Sequence, residues 1–166
     1  MKKIRDIFYS LDKLSHKWEN YFDIYDRYLP AYEGKNPNIL EVGLAHGGST
    51  ELFLKYFDQD VTMYGVDYDP QFLNHKYGDA RVHHEYGNQE SPQFWEKYLA
   101  NKPEFDIIID DGGHEMMQQI VTLTCTFPRL KDGGLYIVED THTSYWDQWN
   151  GGFDKPNTFL SFAKGL

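Results

Sequence analysis

Short apolar runs alternate with segments in which apolar residues recur every three or four positions through the middle of the chain. The runs are typical of buried strands, because turn residues bound each of them. They predict strands at 39–42, 61–66, 105–111 and 135–138, and the more polar stretch 81–85 predicts one further strand. The periodic segments between them predict helices, one over 50–57 and another beginning at Ser91-Pro92. Strands that alternate with helices indicate an α/β fold with a mostly parallel sheet.

The two ends of the chain have different patterns. Residues 3–32 predict two helical pieces, the second capped by Ser15. Its aromatic residues recur at helical spacing and are expected to face the core: Trp18, Tyr21, Phe22 and Tyr25. We therefore expect one domain made of an N-terminal helical segment, a ligand-binding core and a lid-like end with a short helix, over 1–37, 38–140 and 141–166.

Composition narrows the class of protein. The chain has 166 residues, of which 40% are hydrophobic and 17% aromatic, so it is expected to be globular. A net charge of −10 argues against a nucleic-acid partner. No apolar run approaches the roughly 20 residues that span a bilayer, so no membrane partner is expected. The single cysteine, Cys125, and the lack of a signal-peptide pattern favour the cytoplasm.

A glycine-rich loop follows the first predicted strand. Its pattern is Glu41-x-Gly43-x-x-x-Gly47-Gly48-Ser49, with a helix predicted after it. Strand, glycine loop and helix together bring backbone N–H groups close to a nucleotide-like ligand. The spacing differs from Gly-x-Gly-x-x-Gly, and no Gly-Lys-Ser/Thr is present. A carboxylate before the first glycine suits the cationic S-adenosylmethionine better than NAD. An ordinary strand–turn–helix corner remains an equal alternative on this segment alone.

Acidic residues stand at the ends of four of the five predicted strands. In parallel sheets these ends meet at the ligand-binding edge, and buried carboxylates call for cations. Asp67 lies 19 residues after Gly48, where a ribose hydroxyl pair is usually held, although an acid there can also be a turn residue. The other acids are Glu41, the pair Asp110-Asp111 and the pair Glu139-Asp140.

The two acid pairs predict a magnesium site. Asp111, Glu139 and Asp140 supply hard oxygen ligands at strands expected to be neighbours. His114 follows Asp111 across two glycines and would act as general base. Magnesium would lower the pKa of a substrate hydroxyl, and the alkoxide would attack the sulfonium methyl group. The alternative is that the acids are solvated loop residues and that His114 caps a helix.

These motifs together resemble the class I S-adenosylmethionine-dependent methyltransferases with their Rossmann-like sheet. Within that class the chain is similar to the magnesium-dependent sugar O-methyltransferases of macrolide and related natural-product pathways. The similarity covers nearly the whole chain. The matching motifs are Asp12-Lys13 with His16, Leu40–Gly43 with Gly47–Ser49, Gly65–Asp67, Gly87–Gln89, Phe105–His114, Gly133–Asp140, Thr143–Trp146 and Gly151-Gly152.

The resemblance implies roles for the same residues. It puts Glu41 and the loop glycines Gly43, Gly47 and Gly48, with Ser49, near the methionine part of the cofactor. It puts Asp67 at the ribose and Gln89 at the adenine, and Asp110 belongs with these cofactor residues. Asp111, Glu139 and Asp140 are implied as magnesium ligands and His114 as base. Two residues depart from the family pattern, namely Asn88, where Asp is usual, and Gly113, where Ser is usual.

The sequence thus predicts an enzyme that methylates a hydroxyl of a sugar or glycosylated natural product, a small-molecule acceptor. Tyr145, Trp146 and Trp149 would form a lid whose rings stack on the sugar, or else fill the core or an interface. Only five strands are predicted where the family has seven, so the chain is expected to be truncated after strand five and to form homo-oligomers. Two alternatives remain: an inactive S-adenosylmethionine-binding module and, less favoured, an NAD-dependent oxidoreductase.

Overall fold

A five-stranded parallel sheet organises the part of the chain that the structure describes, residues 3–74 and 77–166 of a computed structural model. Its strand order is β3-β2-β1-β4-β5. All four neighbouring pairs are parallel, with Leu40 opposite Tyr64 on one side and Ile108 on the other. The strands are β1 (Asn38–Val42), β2 (Thr62–Asp67), β3 (Val82–Tyr86), β4 (Phe105–Asp110) and β5 (Leu130–Val138).

Helices follow the strands, as the alternating pattern predicts. One core cluster packs α1, α2 and α3 against the sheet, and a second packs α4 and the neighbouring strand residues around Trp95. The helices are α1 (Ile4–Phe8), α2 (Tyr21–Tyr28), α3 (Gly48–Phe57), α4 (Pro92–Leu99), α5 (Met116–Thr126) and α6 (Phe159–Ala163). Short 3-10 helices cover Leu29–Tyr32, Pro70–Asn74, Phe127–Arg129, Thr141–Tyr145 and Asp147–Trp149. No helix of the described residues is long and apolar enough to cross a membrane.

The N-terminal part differs from the two helical pieces predicted for residues 3–32. The second helix begins only at Tyr21, and residues 9–20, here called the connector, form turns and extended chain. Ser15 therefore caps no helix. Trp18 lies in the connector with 59% of its surface exposed, so it does not face the core. The helical spacing of apolar residues in the connector gave a wrong prediction, because polar contacts, described below, determine the path of the backbone there.

The carboxyl ends of the five strands lie along one edge of the sheet. At that edge the strand order reverses between β1 and β4. Ligands bind at this point in open parallel sheets. The loops after β1, β2, β3 and β4 converge there, and the predicted acids Asp67, Asp110 and Asp111 lie at this edge. Glu139 and Asp140 follow β5 at the same edge. The fold thus gathers residues that are up to 73 positions apart in the chain, from Asp67 to Asp140.

Candidate functional site

A cavity of about 600 Å³ opens at the carboxyl ends of β1, β2, β3 and β4. Its size lies within the range of roughly 300–1,000 Å³ typical of small-molecule sites. Four acids lie along it, which favours a ligand with positive charge. We call it the glycine cavity, and its lining includes Gly43, Asp67, Tyr68, Asp69, Gly87, Gln89, Glu90, Asp111, Gly112 and Gly113.

Backbone groups shape the β1 side of the glycine cavity. Gly43 has φ +89°, and a Cβ atom there would collide with the backbone of Asp111. Asp67 accepts hydrogen bonds from the N–H groups of Leu44, at 2.6 Å, and Ala45, at 2.9 Å. Its other oxygen accepts from Asp69 N–H at 2.8 Å. The predicted ribose-binding acid therefore also holds the glycine loop in place while it lines the cavity.

Gln89 is the polar centre of the opposite side. Its carbonyl oxygen accepts from Gly113 N–H at 2.8 Å, and its amide nitrogen donates to Asp110 and Thr122, both at 3.1 Å. Trp95 donates its indole N–H to the backbone oxygen of Gln89 at 2.8 Å. A Cβ atom at Gly113, where the sequence departs from the family pattern, would meet the amide end of the Gln118 side chain.

Glu41 lies behind the glycine cavity and does not line it. Its side chain is fully buried and accepts hydrogen bonds from the hydroxyls of Ser49 and Thr50, in the first turn of α3. Burial raises the pKa of Glu41, while Lys17 and the two hydroxyls oppose that shift. Gly47, in the left-handed region, is the N-cap residue of α3, so Ser49 and Thr50 lie within the helix.

A second group, the acid cluster, is defined by Asp111, His114, Glu139 and Asp140. Oxygens of Asp111 and Asp140 and a nitrogen of His114 lie within 4.8 Å of one another, which suits a metal ion. His114 Nε2 is 3.5 Å from Asp140 Oδ2 and 3.9 Å from Asp111 Oδ1. Asp111 also lines the glycine cavity, so the two groups share one residue.

Lys17 enters the acid cluster from the connector. Its ammonium group donates to Asp111 Oδ2 at 2.5 Å and to both oxygens of Glu139 at 2.8 Å. The side chain is only 1% exposed. Burial alone would lower the pKa of Lys17, but the carboxylates of Glu139 and Asp111 outweigh it and raise that pKa above its ordinary value. All three donors of the ammonium group are thereby used.

Two tyrosines of α2 complete the cluster. Tyr25 donates its hydroxyl to Glu139. Tyr21 donates to Asp140 Oδ1 at 2.7 Å, and its oxygen accepts from the backbone N–H of Asp140 at 2.9 Å. The two tyrosines lie four residues apart, so one face of the helix reaches two consecutive acids.

His114 has properties that a general base requires. Burial lowers the pKa of His114, although Asp140 and Glu139 act in the opposite direction. A neutral imidazole near pH 7 can accept a proton. The residue has φ +60° and precedes α5, whose capping residue is Glu115, so His114 does not cap that helix. Left-handed backbone at a residue other than glycine often marks a functional position.

An aromatic run borders the acid cluster on its open side. His142 contacts Trp18 and Trp146 edge to face, at centroid distances of 5.9 and 4.6 Å, and Trp146 contacts Trp149 at 5.7 Å. Trp18 and Tyr21 line two hollows of about 240 and 410 Å³; Glu139 and Asp140 also line the smaller one, and His142 and Trp146 the larger one. Of the predicted lid, Tyr145 and Trp146 are about half exposed.

The predicted residues thus separate into three locations. Gly43, Asp67 and Gln89 line the glycine cavity. Glu41, Gly47, Gly48, Ser49 and Asp110 lie outside the cavity lining among the described residues. The predicted metal ligands and base come together in the acid cluster. Glu139, however, bonds to Lys17 and Tyr25 and does not belong to the set of ligand atoms that lie within 4.8 Å of one another. The individual roles stay predictions.

Sequence reasoning missed three side chains: Lys17, Tyr21 and Tyr25. The pattern predicts both tyrosines as core residues, and Tyr25 is buried, but the hydroxyls of both donate to acids of the cluster. The spacing of four residues between Tyr21 and Tyr25, which puts both on one face of a helix, was the signal that the sequence offered. A lysine in a polar stretch gives no signal, since its role depends on contacts 94 and 122 residues away.

Comparison with known sequences gives consistent matches. A family model described as "Methyltransferase domain" matches residues 40–141. The 8-demethyl-8-alpha-L-rhamnosyl tetracenomycin-C 2'-O-methyltransferase of Streptomyces olivaceus is 31% identical, over 92% of this chain and 42% of that protein. The L-olivosyl-oleandolide 3-O-methyltransferase of Streptomyces antibioticus is 31% identical, over 94% of this chain and 44% of that protein.

A solved structure matches the fold. It is MycE methyltransferase from the mycinamycin biosynthetic pathway, in complex with Mg, SAH and mycinamycin VI. The TM-score is 0.88 at 24% identity, over 99% of this chain and 47% of that chain. The chain therefore spans less than half the length of each of these relatives.

Proposed function

Because the chain belongs to the methyltransferase domain family, we propose that it binds S-adenosylmethionine in the glycine cavity and transfers the methyl group to a hydroxyl of a sugar or glycosylated small molecule. The predicted resemblance and the Rossmann-like fold are confirmed by the family match and the fold likeness. The cofactor, the metal and the acceptor class are proposals for this chain, because it covers less than half of its relatives.

One observation supports the proposal most strongly: Asp111 belongs to both the glycine cavity and the acid cluster. A ligand in the cavity and a hydroxyl at the cluster would meet at this residue. Methyl transfer requires such closeness, because the reacting atoms must lie in line and near contact. The four acids along the cavity would also attract a sulfonium cofactor.

The acid cluster has the donor set that Mg²⁺ prefers. Asp111 and Asp140 offer hard oxygen ligands, with His114 Nε2 nearby. A bound divalent cation supplies positive charge that lowers the pKa of a hydroxyl beside it. His114 would accept the hydroxyl proton while the bond from methyl carbon to sulfur breaks and a bond to the hydroxyl oxygen forms. S-adenosylhomocysteine would leave.

The sugar class of the acceptor is proposed from two sources. The relatives from the two Streptomyces species are named for substrates that carry rhamnosyl and olivosyl groups. The aromatic run formed by Trp18, His142, Trp146 and Trp149 lies beside the acid cluster, where ring faces can pack against the apolar face of a sugar.

Calorimetric titration with S-adenosylhomocysteine, with and without Mg²⁺, tests the cofactor proposal. We expect binding to the folded chain, and no binding would contradict the assignment of the cavity. His114→Ala should retain cofactor binding and lose turnover with a glycoside acceptor. Turnover that survived the substitution would show that His114 is not the base. His46→Ala, in the exposed part of the glycine loop, is the matched control.

One observation favours a second candidate, a cofactor-binding module without catalysis. Lys17 already neutralises part of the acid cluster, so the acids have a cation without any metal. In such a module Mg²⁺ would leave cofactor affinity and stability unchanged. Self-association also stays a prediction, which light scattering of the purified chain would test.

A further inference from the structure

Lys17 occupies a position that bears directly on metal binding. Its three N–H donors are directed to Asp111 Oδ2 and to both oxygens of Glu139. Asp111 Oδ1 and Asp140 Oδ2 accept nothing from Lys17 and lie near His114 Nε2, while Asp140 Oδ1 accepts from the Tyr21 hydroxyl. The ammonium group therefore neutralises Glu139 and Asp111 Oδ2, and it leaves Asp111 Oδ1 and Asp140 Oδ2 open to a metal ion.

The connector is held so that Lys17 stays in this position. The N–H groups of Asp12 and Lys13 donate to the carboxylate of Glu51 at 3.0 and 2.8 Å. The backbone at Leu14 passes so close to α3 that a Cβ atom at Gly48 would collide with it. The chain is thus held at Leu14, three residues before Lys17, and again where α2 begins at Tyr21. These two anchors fix the backbone of Lys17 over the cluster.

We propose that Lys17 is a built-in counter-cation that withholds Glu139 from the metal site, so that a divalent cation binds to Asp111 and Asp140 beside His114. This inference rests on the proposed metal site and goes beyond it. It assigns Glu139 to the ammonium group instead of the metal, and it makes Lys17 a positioning residue that sets metal affinity.

The physical reason lies in charge and ligand number. An ammonium group near a divalent cation repels it, and the effect is strong where the side chains are shielded from water. Removal of Lys17 would end this repulsion and release three carboxylate oxygens from the ammonium group, of which one, on Glu139, would still accept from the Tyr25 hydroxyl. Sites with more charged oxygen ligands bind divalent cations more tightly. Metal affinity should therefore rise when the lysine is replaced.

Direct Mn²⁺ binding, followed by calorimetry and by the electron paramagnetic resonance signal of free Mn²⁺, tests the inference without any turnover. For Lys17→Met we expect binding about tenfold tighter than in the unchanged chain. Lys13→Met is the matched control, because it removes the same charge from the connector. Lys13 lies over the ring of Tyr77, 5.1 Å from its centroid, and should leave Mn²⁺ affinity unchanged.

A double-mutant cycle tests the assignment of Glu139. Glu139→Gln should change Mn²⁺ affinity little in the unchanged chain but reduce it about tenfold in the Lys17→Met background, where the freed carboxylate becomes a ligand. Equal effects of Glu139→Gln in both backgrounds would contradict the inference. Lys17→Gln keeps a hydrogen-bond donor and serves if the methionine variant is unfolded by circular dichroism.

Mn²⁺ binding distinguishes a failure of the proposed metal site from a failure of the role proposed for Lys17. If the unchanged chain binds Mn²⁺ and neither Lys17 variant binds it more tightly, Lys17 does not set the affinity, while the metal site stands. If none of these proteins binds millimolar Mn²⁺, the metal site itself is wrong and the inference fails with it. Titration with S-adenosylhomocysteine then reports separately on the cofactor proposal.

Discussion

The glycine cavity and the acid cluster share Asp111 but are built in different ways. The cavity is shaped by backbone, by glycines that allow close approach, and by side chains such as Gln89 that hold neighbouring loops. The acid cluster is assembled from side chains of four separate elements, with Lys17 and Tyr21 arriving from the N-terminal part. The cavity therefore depends mainly on close packing between loops, whereas the cluster depends on side chains from distant parts of the chain.

This difference has a consequence for substitutions. A change in the cavity should act on the stability of the whole domain, because backbone groups cannot move independently. A change in the cluster should act mainly on charge and ligand binding, since its side chains have several partners. Four predictions test that contrast, and the largest comes first.

Gly43→Ala should be the most damaging. The residue has φ +89°, and a Cβ atom would overlap the backbone of Asp111. We expect a loss of about 4 kcal/mol in the free energy of unfolding, measured in urea. Gly34→Ala is the matched control, with φ +69° and no atom within 4 Å of the added Cβ. It should cost about 1 kcal/mol. Equal losses would show that close packing at Gly43 does not matter.

Asp140→Asn should affect metal binding and leave the fold intact. The residue contributes one of the open oxygens near His114 Nε2. We expect Mn²⁺ affinity to fall about 30-fold, as measured by calorimetry. Asp147→Asn removes an exposed acid of the same segment and should have no effect. An unchanged affinity in the Asp140 variant would exclude this carboxylate as a ligand.

Asp110→Asn tests a pH dependence in metal-free protein. Burial raises the pKa of Asp110 to about 7 from an ordinary value of 3.8. The folded state then retains a proton that the unfolded state loses, so this group lowers stability as pH rises from about 4 to 7. The variant should gain about 2 kcal/mol relative to the unchanged chain between pH 5 and pH 8.

Unfolding in urea at the two pH values measures that gain. Asp154→Asn, at an exposed position, provides the comparison. If the Asp110 variant and the unchanged chain respond to pH identically, Asp110 does not titrate in this range.

Tyr21→Phe should give the smallest effect. The hydroxyl donates to Asp140 Oδ1 and accepts from its N–H group. Loss of both hydrogen bonds should cost about 1 kcal/mol in the free energy of unfolding, measured by thermal denaturation. Tyr28→Phe, on an exposed position of the same helix, should be neutral. A loss as large as that of Gly43→Ala would contradict the contrast between the two regions.

Much of the sheet could be predicted from the sequence. All five predicted strands are present, and the match is best for β1 and β4, because a strand buried on both faces needs an apolar run. Ser91 caps α4 as expected, accepting from Phe94 N–H at 3.2 Å. The largest difference concerns β5, which begins at Leu130 and not at the predicted residue 135.

The site was predictable to a smaller degree. The convergence of Asp111, His114 and Asp140 followed from parallel topology, since each comes after the end of a strand. The direction of Glu41 toward Ser49 and Thr50 did not follow, because a strand pattern does not say which loop a terminal side chain will meet. The role of Lys17 could not be predicted for the same reason, because tertiary packing determines its partners.

The four tryptophans of the chain divide between the two regions, and this division gives each region its own optical signal. Trp95 is buried and bonded to Gln89 behind the glycine cavity, whereas Trp18, Trp146 and Trp149 lie in the aromatic run beside the acid cluster. Fluorescence of the Trp95→Phe variant would therefore report on acceptor and metal, and the difference from the unchanged chain would report on the cofactor.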